Sequence, residues 1–199
     1  MTYDRQTHRR RSIRLPDYDY ASPGAYFVTI CVRGGECLLG EVMAGEMQLN
    51  DWGQIAHDEW LASEGIRREL ELDSFVVMPN HMHGIVWIAA GDDVPANAID
   101  SHGARAHSRA PLQRSPKSLG SFVAGYKSAV TKRINQLRDT PDAPFWQRNY
   151  WEHVIRNEDA LQRIRGYVVN NPSRWAEDLM HPQSAKNPFQ NRRRFWASR

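Results

Sequence analysis

Residues 79–84 read Pro-Asn-His-Met-His-Gly and lie between two apolar runs, Ser74-Phe-Val-Val-Met78 and Ile85-Val-Trp-Ile88. Runs of β-branched and aromatic residues parted by Pro-Asn predict two strands, 72–79 and 82–89, joined by a tight turn. Residues two apart on a strand share a face. His81 and His83 therefore present their rings side by side, while Met82 points into the opposite layer. Burying two neighbouring imidazoles is costly unless their nitrogens have a partner, and a divalent cation is the natural one. Spacing alone leaves open the alternative of two satisfied core histidines.

The rest of the chain supplies a sheet for that hairpin. Tyr26-Phe-Val-Thr-Ile-Cys-Val-Arg33 reads as a buried strand. Gly40-Glu-Val-Met and Glu46-Met-Gln-Leu around Ala44-Gly45 predict a small hairpin. Asn50 or Asp51 can cap a helix carrying Trp52, Ile55, Ala56, Trp60 and Leu61. A second helix is expected from about 118 to 138, with the apolar stripe Leu119, Phe122, Val123, Val130, Ile134 and Leu137. Tyr150 to Ile155 reads as a short strand, and Asn157-Glu-Asp opens a further helix that Pro172 ends. Residues 91–118 are poor in large apolar side chains and read as a mobile insertion. The order strand, helix, strand, strand, helix, strand, helix fits an α+β sandwich. Its core is one antiparallel sheet of ferredoxin or RNA-recognition (RRM) type with helices packed on it.

Two histidines cannot hold a catalytic cation alone, so a third protein ligand is expected. The helix at 157–171 is the best source. Its apolar stripe is Leu161, Ile164 and Val168; at about 100° per residue, Tyr167 and Asn171 fall together on one flank, with Arg163 one turn before Tyr167. A cation, a phenol and an amide oxygen along one helix edge suit phosphoryl chemistry. His81, His83 and Asn171 would bind the metal and Tyr167 would attack phosphorus. A phenol with an ordinary pKa near ~10 needs a nearby cation to act as a nucleophile. Tyr126 is the competing nucleophile, but it falls inside an apolar stripe, which favours a core role. His153, on the strand before the Tyr167 helix, is assigned to packing.

Charge placement points to a polyanion. The formal net charge is +3 over 199 residues. Residues 1–14 hold Arg5, Arg9, Arg10, Arg11 and Arg14 against one acid, and the last fifteen hold Lys186, Arg192, Arg193, Arg194 and Arg199 with none. Basic ends around a nearly neutral middle suit nucleic acid. Phe189, Phe195 and Trp196 interleave with Arg192–Arg194, a pattern that can stack bases and hold phosphates. Lys127, Thr131 and Arg138 form a polar stripe that could follow a DNA backbone. No apolar run approaches 18 residues, so no membrane span is expected. The first residues lack the apolar core of a secretion signal, and two cysteines do not make a disulfide scaffold. A cytoplasmic, nucleoid-associated location is the expectation.

Five segments in order strengthen these readings: Tyr26-Phe-Val-Thr-Ile-Cys, Met78-Pro-Asn-His-Met-His-Gly84, Ser121-Phe-Val-Ala-Gly-Tyr-Lys-Ser128, Phe145-Trp-Gln-Arg-Asn-Tyr150 and Tyr167-Val-Val-Asn-Asn-Pro172. Over roughly residues 16–176 the chain resembles the single-tyrosine HUH transposases of small insertion sequences, and more narrowly the REP-associated tyrosine transposases. The resemblance implies an HUH endonuclease fold at 16–178, between a basic arm at 1–15 and a basic tail at 179–199. It implies Mg2+ or Mn2+ on His81 and His83, and cleavage of single-stranded or hairpin DNA by Tyr167 through a 5′-phosphotyrosine. The corresponding third ligand is a Gln four residues after the Tyr, here Asn171. Monomer and homodimer are both compatible with it, since the Tyr helix is swapped in some relatives. The rival reading is a nucleic-acid-binding module of the same fold without catalysis.

Overall fold

The computed structural model describes residues 18–89 and 117–189. The arm at 1–15, Arg192–Arg194, and all but the last two residues of the expected insertion lie outside them.

Strands β1 (Gly24–Cys31), β4 (Leu70–Met78), β5 (His81–Ile88) and β6 (Trp151–Ile155) form one sheet in the order β4-β5-β1-β6, every pair antiparallel. The hairpin β2 (Gly40–Met43) and β3 (Glu46–Leu49) stands apart as a second sheet. Helices α1 (Asp51–Ile66), α2 (Leu119–Leu137) and α3 (Glu158–Val169) complete the fold. Inserting one helix between β1 and β4, and another between β5 and β6, gives the ferredoxin-like topology expected from the element order. Each helix starts on a side-chain cap: the Asn50 carbonyl oxygen accepts from the Trp52 and Gly53 amides, both at 3.0 Å, Ser118 accepts from Ser121, and Asn157 from Ala160.

The period-two pattern divides the sheet's faces. Tyr26, Val28, Ile30, Met82 and Val86 point to one side and pack against Ile55, Ala56 and Trp60 of α1 and against Leu119, Phe122, Val123, Val130 and Ile134 of α2. Leu61 and Leu137 depart from the expected stripes and are exposed: Leu61 follows Trp60 off the buried face, and Leu137 lies in the last turn, past the core. The opposite face carries Ala25, Phe27, Thr29, Cys31, His81, His83, Ile85 and Trp87, and α3 packs there through Leu161 and Ile164 on Ala25, Ile85 and Ile155. An ion pair fixes α3 along β4. Arg165 grips Asp73 at 2.6 and 2.9 Å, and the Trp87 indole donates to the same carboxylate at 3.1 Å.

Gly84 shows how closely the layers meet. A Cβ there would sit 2.4 Å from Cζ2 of Trp60, a fully buried ring between Phe122 and Tyr126. Neither ring nor strand can yield, so Gly84→Ala is expected to cost about 1–3 kcal/mol of stability. Urea denaturation measures this; an unchanged midpoint would mean that the Trp60 layer is looser than described.

The turn between β4 and β5 anchors the C-terminal segment. The Asn80 side-chain amide donates to the carbonyls of Gly35 (3.0 Å) and Met180 (2.8 Å). Asn187 donates to Met180 and His181 carbonyls, and Phe189 covers Gly35 so tightly that a Cβ there would lie 2.2 Å from its ring. Residues 179–189, the start of the expected tail, thus pack on the domain, and the short 3-10 helix Pro172–Glu177 leads into them beside the β5 histidines.

Candidate metal and nucleophile site

His81 and His83 are 0% and 3% exposed, on the face opposite Met82, as alternation requires. Each ring is held through Nδ1. His81 Nδ1 lies 2.8 Å from Asn80 Oδ1. Because the Asn80 amide nitrogen is committed to two carbonyls, its oxygen faces the ring, so His81 Nδ1 carries the proton and Nε2 is bare. His83 Nδ1 lies 2.8 Å from Thr29 Oγ1, its directly opposite residue on β1. The two Nε2 atoms face each other at 3.1 Å. Phe27 stacks on His83 at 5.3 Å, and Trp175 leans against His81 at 6.0 Å.

Tyr167 reaches this pair from α3 in the same chain. Its hydroxyl lies 3.1 Å from His83 Nε2, and its ring meets Phe27 and His83 edge-on. The residue is 44% exposed, so a bulky substrate has access to it. Asp178, following the 3-10 helix, completes the cluster: one ligand atom from each of His81, His83 and Asp178 lies within 4.8 Å of the others. The Met180 amide donates to the Asp178 carboxylate at 2.6 Å. Asn171 is 4% exposed and its side chain hydrogen-bonds with both Tyr167 and Asp178. It does not cap the following helix, and its Oδ1 is buried without a hydrogen-bond partner among the described residues.

Burial sets the charge states. It holds His81 well below the usual histidine range and pulls His83 down to about 3, so both imidazoles are neutral at neutral pH, the form that ligates metals. Burial, and then the Asp178 charge, push the Tyr167 phenol up from 10; the Asn171 hydrogen bond and Arg174 oppose them. Burial also raises the Asp178 carboxyl. This donor set fits a divalent ion. Two imidazole lone pairs and a carboxylate converge, and an orphaned amide oxygen is close by. Imidazole with carboxylate accommodates Mn2+ more readily than Mg2+ on ligand preference.

The buried imidazoles carry a pH prediction. Below the ordinary histidine pKa of 6.5 the unfolded chain takes up protons that both buried imidazoles refuse, His83 until about pH 3. Stability therefore falls as pH drops through that window, by about 1.4 kcal/mol per pH unit for each histidine. The urea midpoint of the metal-free protein should fall between pH 6.5 and 5, less steeply in His83→Gln. Equal slopes would place the titration elsewhere.

Other expected site residues lie elsewhere. The Tyr126 hydroxyl donates to the Ala56 carbonyl at 3.0 Å inside the α1–α2 layer, so this tyrosine is a core residue on the wrong side of the sheet for the histidines. The Lys127 ammonium is bound to the backbone carbonyls of Gln147, Arg148 and Asn149. Arg138 binds Asn135 and the Ala143 carbonyl and lies over the rings of Trp52 and Phe145. Both cations brace the α2–β6 connection. Arg163 is exposed on α3, and the Arg174 charge is among the influences that favour ionisation of the phenol. His153 is exposed rather than packed. Sequence reasoning missed Asp178, Asn80, Thr29 and Trp175. Asn80 had a visible signal as part of the Pro-Asn-His-Met-His run; Asp178, in a non-periodic turn, had none.

No protein-family model matches the chain. It is 37% identical over 179 residues to an uncharacterized protein of Haemophilus influenzae, covering 90% of this chain and 97% of the relative. Among solved structures, it is similar to a REP-associated tyrosine transposase bound to a REP hairpin (TM-score 0.49, 20% identity, 81% of this chain and 74% of that one). It is also similar to a candidate transposase of Deinococcus radiodurans R1 (TM-score 0.38, 17% identity, 79% and 95%).

Proposed function

The chain belongs to one family with the Haemophilus influenzae protein, and we propose that it is a REP-associated tyrosine transposase of the HUH type, or a domesticated relative: a metal-dependent single-strand DNA nickase and strand transferase acting at hairpin DNA. The observation that carries this reading is the Tyr167 hydroxyl, 3.1 Å from His83 Nε2, on a partly exposed ring beside neutral, preoriented imidazoles. One copy of the chain supplies both the phenol and the imidazoles.

His81, His83 and Asp178 would hold Mg2+ or Mn2+, which when bound supplies charge stabilisation to the phosphodiester. Asn171 keeps Asp178 and the phenol in register. Phe27 and Trp175 fix the imidazole planes. In the chemical step the Tyr167 oxygen bonds to phosphorus and the bond from phosphorus to the 3′ oxygen breaks. The phenolic proton is released and the departing 3′ oxygen gains one, leaving a 5′-phosphotyrosine and a free 3′ hydroxyl. One phosphoester replaces another, so the step is reversible and a second strand can be joined.

The test is incubation of the protein with a labelled library of single-stranded hairpins and Mn2+ or Mg2+, followed by peptide mapping and sequencing of any attached DNA. The expected product is a DNA adduct on Tyr167. Cleavage without an adduct would replace this reading with a hydrolase.

A further inference from the structure

The helix that carries Tyr167 is held to the sheet by few apolar side chains. Leu161 and Val168 are the buried residues of α3, and Ile164 adds a partly buried contact. Apolar burial is non-directional, so this stripe sets how closely α3 lies on the sheet but constrains its roll weakly. Arg165 supplies the missing direction. At 3.6 residues per turn, Arg165 and Tyr167 flank the Leu161–Val168 stripe on opposite sides. A roll that lifts Arg165 off β4 therefore moves the phenol relative to His83. Arg165 Nε lies 2.9 Å from Asp73 Oδ1, and its Nη2 lies 2.6 Å from Oδ2. Such a fork between two planar groups tolerates little rotation. The carboxylate is itself fixed from the sheet side. Asp73 falls where the β4–β5 register shifts between Leu72 and Phe75, the Ser74 amide donates to its Oδ1 at 2.6 Å, and the Trp87 indole donates to Oδ2 at 3.1 Å. The Arg165 hydrogen bonds hold the Asp73 carboxyl well below its ordinary range, so it is charged at neutral pH. The Glu158 carboxylate, 3.9 Å from Arg165 Nη1, is a second and more exposed acid beside the guanidinium.

We propose that Asp73 and Arg165 are positioning residues for strand cleavage: their two-bond fork sets the roll of α3 and so holds the Tyr167 oxygen against the histidine pair. The proposal rests on the DNA-cleaving function above. Neither residue belongs to the His81–His83–Asp178 cluster, so both act through the helix and not on the metal. A side-chain tip about 5–6 Å from a helix axis moves about 1 Å for every 10° of roll. A misplacement of about 1 Å is enough to slow a positioned reaction by about a hundredfold. Lysine at position 165 would keep the charge but lose the fork, so it should restore the ion pair better than the alignment.

Two measurements on the full chain test this, using Arg165→Met, Arg165→Lys, Asp73→Asn and the Arg165→Met/Asp73→Asn double variant. The first is the single-turnover rate of adduct formation at saturating hairpin DNA, with DNA affinity followed by anisotropy. Arg165→Met and Asp73→Asn should each slow the saturated rate by about a hundredfold, while DNA affinity stays within about twofold. The double variant should be no slower than the worse single one, as for two halves of one contact, and Arg165→Lys should recover about tenfold of the loss. The second measurement needs no DNA or metal. In protein labelled with 3-fluorotyrosine, the Tyr167 fluorine resonance is assigned by its absence from Tyr167→Phe. The Phe27 and His83 rings shift it in the wild-type chain, and in Arg165→Met it should move toward the position of an exposed tyrosine. Asp73→Asn and Arg165→Lys keep both measurements decisive if Arg165→Met fails to fold. A wild-type rate or an unmoved resonance in a folded variant would overturn the proposal. So would weaker DNA binding with an unchanged saturated rate, which would make Arg165 a DNA contact instead. If the wild-type chain forms no adduct, the nickase reading fails and the fluorine resonance still decides whether the fork seats the phenol.

Discussion

Tyr167→Phe is expected to lower strand cleavage by about a thousandfold or more, while hairpin binding stays within about twofold. The substitution removes one oxygen, with its hydrogen bonds to His83 Nε2 at 3.1 Å and to the Asn171 side chain. The ring's contacts with Phe27 and His83 persist, as does the Arg165–Asp73 clamp that seats α3 two residues earlier. The fold should be kept, and the melting temperature measured alongside will show it. Gel assays of cleavage and anisotropy of binding separate chemistry from recognition. Substantial cleavage by the phenylalanine variant would remove Tyr167 from the reaction. Tyr126 is no substitute, since its hydroxyl is sealed against the Ala56 carbonyl.

Asp178→Asn carries the second large effect. The variant keeps the shape of the side chain but removes the charge that completes the His81–His83 cluster. Calorimetric titration with Mn2+ alone should show a loss of affinity of about a hundredfold, comparable to His81→Ala. Asn171→Ala should cost less, because its side chain reaches the cluster by bonding to Asp178 and Tyr167. A reversed order, with Asn171→Ala severe and Asp178→Asn mild, would return the ligand role to the helix position that sequence spacing favoured. The Asn variant should also lower the phenol's pKa in the metal-free protein, since the Asp178 charge helps raise it. A spectrophotometric titration against Tyr167→Phe isolates that band.

What the sequence could and could not reveal divides along physical lines. The strand pair around the histidines, the opposite fate of Met82 and the shared flank of Tyr167 and Asn171 all follow from local periodicity, and the structure repeats them. Strand boundaries shifted slightly: β4 begins at Leu70 and β5 at His81. Asp178 was invisible for a different reason. Its position depends on the Asn80 side chain gripping the Met180 carbonyl, a bond between residues 100 positions apart. Lys127 and Arg138 have partners that periodicity does not show. On a helix wheel they look solvated, yet their partners are carbonyls of a connection with no repeating pattern. Periodicity reports which face a residue occupies; it does not report which loop returns to meet it.

The Asn80 side chain has a practical corollary. Its oxygen assigns the proton on His81 and its nitrogen secures the carbonyl two residues past Asp178. Shortening the polypeptide before residue 180 would thus disturb imidazole tautomer and carboxylate placement at once. An affinity handle or fluorescent fusion is better carried on the amino end, where it leaves that latch alone.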